Sequence, residues 1–213
     1  MQKTITALKI QKRNQNRVNI FLDNEFAFGL FTINVANLKV GQLISQSAID
    51  KLQHEDHIEE GYQKALRFIS FKPRTQFEIR KKLSESEFSE EIINIVINKL
   101  VQKGYVNDFE FAQNWAENRS IYKPRSKKLI SWELKNKKVN KEIIDEVIIG
   151  MVPDEKLAVL ASEKYARRLS GCDKDVFFRR LTGYLSRRGF SYSIVKPIVE
   201  ETWVKLRQIK SEN

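Results

Sequence analysis

The chain has 213 residues, 41% of them apolar, with 38 Lys and Arg against 27 Asp and Glu for a formal net charge of +11. The apolar content, with thirteen Phe, excludes global disorder; no stretch approaches the roughly 18 apolar residues of a membrane span; and the lone Cys172 excludes an internal disulfide framework and fits a reducing cytosol. The positive surplus points to a polyanion or an acidic protein surface as partner, although a basic surface that serves only solubility fits composition alone equally well.

The N-terminal MQKTITALKI has no apolar run of a secretion signal, so a cytoplasmic location is expected. Residues 3–31 read as β. A strand is expected around Thr4–Gln11 and a polar loop over Lys12–Arg17. Val18, Ile20 and Leu22 then alternate with polar neighbours, as do Phe26, Phe28 and Leu30. Between the last two runs, Asp23-Asn24-Glu25 supplies residues that tolerate the positive φ of a tight hairpin. A small sheet of this kind is marginal alone, so it is expected to pack on a helix beginning near Ser47 and running through His57 toward Phe71. Within that helix His54-Glu55-Asp56-His57 sets two His at i, i+3 beside carboxylates. No third ligand is identifiable, so a solvated polar face is favoured over a metal site.

Residues 79–99 introduce a period. Ile79, Leu83, Phe88, Ile92, Ile93, Val96 and Ile97 recur 51 residues later as Ile130, Leu134, Val139, Ile143, Ile144, Val147 and Ile148. A further 51 residues on they recur as Leu181, Leu185, Phe190, Ile194, Val195, Ile198 and Val199. Seven apolar positions in one register over three copies mark a helical repeat array. The first two fall one turn apart on a helix, the third sits in a break, and the last four form the buried stripe of a second helix. Ser89 followed by Glu90 and Glu91 suits the start of that second helix. Helices at Tyr62–Phe71, Phe109–Ile121 and Asp154–Leu169 precede the pairs, by connections of differing length, giving units of three helices that must stack to bury their apolar faces.

The predicted fold is mainly α: tandem three-helix, helix-turn-helix-like repeats in an elongated array behind a small N-terminal β-hairpin module. The expected divisions are 1–57 for the hairpin module and linking helix, then 58–108, 109–153 and 154–213 for the repeats. Their net charges are +2, +1, +3 and +5, so most of the surplus lies in the second and third repeats. Gly104 suits a helix end, and Asn107 or Asp108 a helix start. Trp115 reads as a core residue rather than a base-stacking platform. Candidate partner-binding residues are Arg125, Lys127, Lys128, Lys135, Lys137 and Lys138 in the second repeat. In the third they are the pairs Arg167-Arg168, Arg179-Arg180 and Arg187-Arg188. Lys128 matches Arg179 and Lys137 matches Arg188 at the 51-residue offset, where the first repeat has Phe77 and Ser86. That shared register favours a common contact surface over ordinary solvated cations.

No phosphate-binding Gly-rich loop, H-x-x-x-H, C-x-x-C or G-x-S-x-G is present, and two His with one Cys assemble few hydrolytic or redox sites. An enzyme is not expected, and no cofactor is implied.

Arg17-Val18-Asn19-Ile20-Phe21-Leu22-Asp23 with Phe26-Ala27-Phe28 resembles the N-terminal strands of the RecX family, regulators of the RecA recombinase. Ala65-Leu66, Arg74-Thr75-Gln76-Phe77-Glu78-Ile79 with Leu83, and Tyr105-Val106-Asn107-Asp108-Phe109-Glu110-Phe111-Ala112 continue the resemblance. Glu133-Leu134 with Lys137, and Tyr184-Leu185-Ser186-Arg187-Arg188-Gly189-Phe190-Ser191, carry it through the later repeats. Where the family usually has Lys-Gly, this chain has Lys137-Lys138-Val139, which argues against a positive-φ turn there. The resemblance implies a non-enzymatic, elongated, monomeric protein that binds the RecA–single-stranded DNA filament along its groove. It further implies that the protein limits filament growth, ATP hydrolysis and strand exchange in DNA repair and recombination. Whether the basic surface meets RecA, DNA phosphates or both stays open. The competing reading is a DNA-binding protein without sequence specificity. Cations in runs at helix ends, without an evident set of base readers, suit phosphate contacts.

Overall fold

Apolar alternation drives the N-terminal segment into four antiparallel strands, β1 (Gln2–Gln11), β2 (Asn14–Leu22), β3 (Glu25–Phe31) and β4 (Leu43–Ser45), ordered β3-β2-β1-β4. The computed structural model describes residues 2–211; Met1 and residues 212–213, which open the hairpin module and close the third repeat as divided above, lie outside the described residues. The β2–β3 hairpin turns through Asp23 and Asn24 at φ 51° and 73°, the two successive left-handed residues of a type I′ turn. The polar loop expected over Lys12–Arg17 is mostly strand. Asn14 pairs with Gln11 and Arg17 with Phe31, so ladder hydrogen bonds override polar composition there.

Ile5, Val18, Ile20, Leu22, Leu30 and Ile44 cover one face of the sheet, closed by Val35 of α1 (Thr32–Val35) and by Ile49 and Leu52 of the helix that follows β4. Helix α2 (Gln46–Ser70) is a single helix capped by Ser45, and its C-terminal half, with Tyr62 and Ala65, belongs to the core of the first repeat. Gly61 lets that helix come close to its neighbours: an added Cβ there would lie 3.3 Å from the Phe88 ring. The polar face expected at His54–His57 is not uniformly solvated. Asp56 is buried and accepts hydrogen bonds from the Phe31 N–H, from Arg17 Nη2 at 2.9 Å and from Asn34 Nδ2 at 3.3 Å, while His57 packs on Phe88.

The first repeat is completed by α3 (Gln76–Ser84) and α4 (Glu90–Gln102). The second comprises α5 (Asp108–Ile121), α6 (Lys127–Asn136) and α7 (Lys141–Gly150). The third comprises α8 (Asp154–Ala166) with a 3₁₀ turn (Arg167–Leu169), α9 (Lys174–Ser186) and α10 (Tyr192–Ser211). Residues 1–106 form one compact unit and residues 107–213 a second. Of the 21 register positions, all are buried except Ile143, Ile148 and Ile194, which are half-buried.

The break between the last two helices of each repeat is one turn made three times. Glu87, Lys138 and Gly189, 51 residues apart, all adopt positive φ (65°, 57° and 85°). The following Phe88, Val139 and Phe190 N–H groups donate to the carbonyls of Leu83, Leu134 and Leu185. This is a Schellman ending with its apolar residue folded back into the core. Lys138 therefore does take the left-handed turn that its lack of glycine argued against: the paired backbone and the buried Val139 hold it there. Starts keep register too, with Thr75 and Ser126 capping α3 and α6. Helix α9 begins a turn early because Asp173 caps it. No helix among the described residues is long and apolar enough to cross a membrane.

Candidate functional site

The second and third repeats join through the turn that opens α6. Pro124-Arg125-Ser126 runs against the Arg188-Gly189 turn: the Ser126 N–H donates to the Arg188 carbonyl at 2.9 Å, and Arg188 Nη1 donates to the Pro124 carbonyl at 3.2 Å. Asp154 at the start of α8 accepts the Lys127 N–H at 2.8 Å, and Lys164 Nζ reaches the Ile121 carbonyl at 2.7 Å. Gly189 is required on two counts. Its φ is left-handed, and a Cβ there would stand 2.4 Å from Ser126 Oγ and 2.8 Å from Leu129 Cβ.

This joint gathers guanidinium groups. Arg119, on α5, donates from Nε to Glu133 Oε2 at 3.0 Å; Arg125 pairs with Glu133 Oε1; and Trp115 Nε1 donates to Glu133 Oε2 at 2.7 Å. Burial, with Arg119 and Arg188 nearby, pushes the Arg125 guanidinium below its ordinary pKa. Two arginines thus share one carboxylate, with the third guanidinium, of Arg188, beside them. A surplus of forked donors in a partly desolvated setting suits bidentate capture of phosphate or carboxylate oxygens.

The twelve predicted cations fall into distinct places. Arg125, Lys127, Lys128, Arg187 and Arg188 come together at or beside this joint. Lys135, Lys137 and Lys138 lie at the other end of α6, about 15 Å along the axis. Arg167 and Arg168 sit on the 3₁₀ turn after α8, and Arg179 and Arg180 within α9. Lys128, Lys135, Lys138, Arg167, Arg168, Arg179, Arg180 and Arg187 are exposed. Lys137 and Arg188 are half-buried, and each rides on aromatic rings: Lys137 Nζ is 5.1 Å from the Trp115 centroid, and the Arg188 guanidinium 4.3 Å from that of Tyr184, which stacks on Tyr165. Their matching register is a cation–aromatic contact made twice.

Arg119 was not among the candidates predicted from sequence, yet a signal for the cluster exists. Lys72-Pro73-Arg74-Thr75 recurs 51 residues later as Lys123-Pro124-Arg125-Ser126. In the first repeat Arg74 lies over Phe68 at 4.0 Å and beside Glu78. In the second, the positions of Phe68 and Lys82 hold Arg119 and Glu133. An aromatic seat for one arginine becomes a shared carboxylate for two.

The chain matches three family models in series: the regulatory protein RecX N-terminal domain over residues 3–45, the RecX first three-helix domain over 62–106, and the RecX second three-helix domain over 107–148. It is 32% identical to the regulatory protein RecX of Clostridium acetobutylicum over 94% of this chain and 96% of that protein. It is 31% identical to that of Clostridioides difficile, over 92% of this chain and 94% of that protein. The fold is similar to a crystal structure of regulatory protein RecX, with a TM-score of 0.72 at 23% identity over 93% of this chain and 99% of that one. With tandem three-helix repeats behind an N-terminal sheet, and with those relatives matched along nearly their full length, the chain belongs to the RecX family of regulatory proteins.

Proposed function

We propose that the protein is a non-enzymatic regulator that binds the RecA–single-stranded DNA filament and restrains its activity, with cations of the second and third repeats as the contact surface. The observation that carries this reading is the pairing of Arg119 and Arg125 with the single carboxylate of Glu133, with Arg188 close enough to add a third guanidinium beside Arg125. Around it lie exposed cations without a carboxylate partner among the described residues, Lys128 and Arg187 among them. Such a surface fits phosphates or an acidic protein patch, both of which a nucleoprotein filament presents. In this reading Arg125, Lys137 and Arg188 shape the surface, while Lys127, Lys128, Lys135, Lys138, Arg167, Arg168, Arg179, Arg180 and Arg187 are free to make contacts. The test is the recombinase's DNA-dependent ATP hydrolysis. Adding the protein is expected to lower it while the protein alone hydrolyses none, and an unchanged rate at saturating protein overturns the reading. The second reading, DNA binding without sequence preference, draws on the same exposed cations. Titrating naked single- and double-stranded DNA against the filament separates the two.

A further inference from the structure

Two of the three tryptophans are satisfied within the fold and one is not. Trp115 is half-buried, stacks on Phe111, donates to Glu133 and carries Arg119 and Lys137 over its ring. Trp203 is half-buried against Phe177 and Phe178 and carries Arg207. Trp132 is 60% exposed and, among the described residues, has neither a ring nor a cation against it. It stands on the outward face of α6, opposite Ile130, Glu133 and Leu134. Lys128 is one turn before it and Lys135 one turn after, both exposed and without an ion-pair partner among the described residues. No carboxylate shares that face, because Glu133, the sole acidic residue of α6, points inward. The 51-residue equivalents of Trp132 are Lys81 and Gly183, so only the second repeat presents the ring.

We propose that this face of α6 is a base-stacking platform for single-stranded DNA, with Trp132 taking the face of one base and Lys128 and Lys135 the phosphates on either side. A protein groove would call for exposed apolar neighbours, yet the only other exposed residue of α6 is Asn136, and the half-buried Leu129 has its Cβ against Gly189 of the joint. A duplex hides its base faces in the stack, whereas a single strand offers them beside its charge. The two lysines lie about 10 Å apart along the helix axis, astride the ring. The inference rests on the filament reading only for the source of the strand, and it is tested without the filament.

The probes are an oligothymidylate and an abasic oligonucleotide of equal length, titrated into wild type, Trp132→Ala and Trp132→Phe. Thermal unfolding is the control for folding, and filament affinity is measured in parallel. The oligothymidylate is expected to quench the wild-type tryptophan emission, with that quenching absent from Trp132→Phe. Trp132→Ala is expected to lose about tenfold in oligothymidylate affinity, the scale of one stacked base. Its affinity for the abasic strand is expected to hold, and Trp132→Phe to keep most of the wild-type oligothymidylate affinity. An unchanged oligothymidylate affinity in Trp132→Ala, equal losses on both probes, or no wild-type affinity for oligothymidylate each overturns the inference. Filament affinity lost by Trp132→Ala with oligothymidylate affinity kept would mean that the ring docks on protein, overturning the inference while leaving the filament reading standing. The expected oligonucleotide pattern without any wild-type filament binding upholds the inference and overturns that reading.

Discussion

At the scale of single residues the three equivalent turns separate what one position must do. Glu87 and Lys138 hold a left-handed conformation that costs an ordinary L-residue about 1–2 kcal/mol. Lys138→Gly is therefore expected to raise unfolding free energy by about 1 kcal/mol, less than the full strain because glycine has more freedom to lose on folding. Gly189→Ala is expected to act in the opposite direction, since its Cβ would meet Ser126 Oγ at 2.4 Å in the joint of the second and third repeats. Urea unfolding of the two variants against wild type checks both signs. Glu133 is the other decisive residue, with Arg119 and Arg125 paired to a side chain only 9% exposed. Glu133→Gln leaves those guanidiniums uncompensated. Because each arginine stays a quarter or more open to water, the expected loss is about 2 kcal/mol, below that of a fully buried pair. Added phosphate is expected to recover part of it by screening the arginines, and a loss independent of phosphate would mean that packing rather than charge sets the cost.

At the scale of elements the repeats were legible because each copy repeats its apolar stripe in one register, and tertiary packing only had to agree with it. Leu83, Leu134 and Leu185 are fully buried at equivalent places, so truncating any of them to Ala is expected to cost about 2–5 kcal/mol. The value at each site depends on how far its surroundings collapse, and denaturant unfolding of the three variants measures it. A leucine whose loss is nearly neutral would mark a repeat whose core does not depend on that position. The N-terminal module was less legible. β4 and α1 have three and four residues, too few for a period, and exist because β1 and the hairpin offer them partners. Asn14–Arg17 looked like a loop from its polarity but is held as strand by pairing on both sides. Of the candidate surface, the cations were visible as charge. Which of them are committed inward was not, since Lys137 over Trp115 and Arg188 on the Pro124 carbonyl are contacts between segments distant in the chain. Trp132 escaped notice because nothing in a helical pattern says whether an aromatic residue has found a neighbour.

At the scale of the whole molecule the question is whether the net charge of +11 acts as a diffuse field or through particular residues. A diffuse field predicts that any charge reversal weakens binding alike and that salt weakens it for all variants equally. The side chains argue for particular residues. In the first repeat Arg80 is tied to Glu90 at 2.7 Å and to Asn94, and Lys82 lies 3.9 Å from Glu85, so those cations are partly neutralised in place. Lys128 and Arg179 are exposed without partners among the described residues, and reversing them disturbs no internal contact, unlike Arg188, whose guanidinium braces Pro124. Lys128→Glu with Arg179→Glu is therefore expected to lower filament affinity with little change in stability. Reversing Arg80, Lys81 and Lys82 is expected to lower it less, although it removes more charge. If Lys128 and Arg179 meet phosphates, the slope of log affinity against log salt should also become shallower by about one per lost contact. Binding at several salt concentrations for wild type and both variants measures all three. Equal losses for the two variants would return the charge to a general field and remove the case for a contact surface in the later repeats.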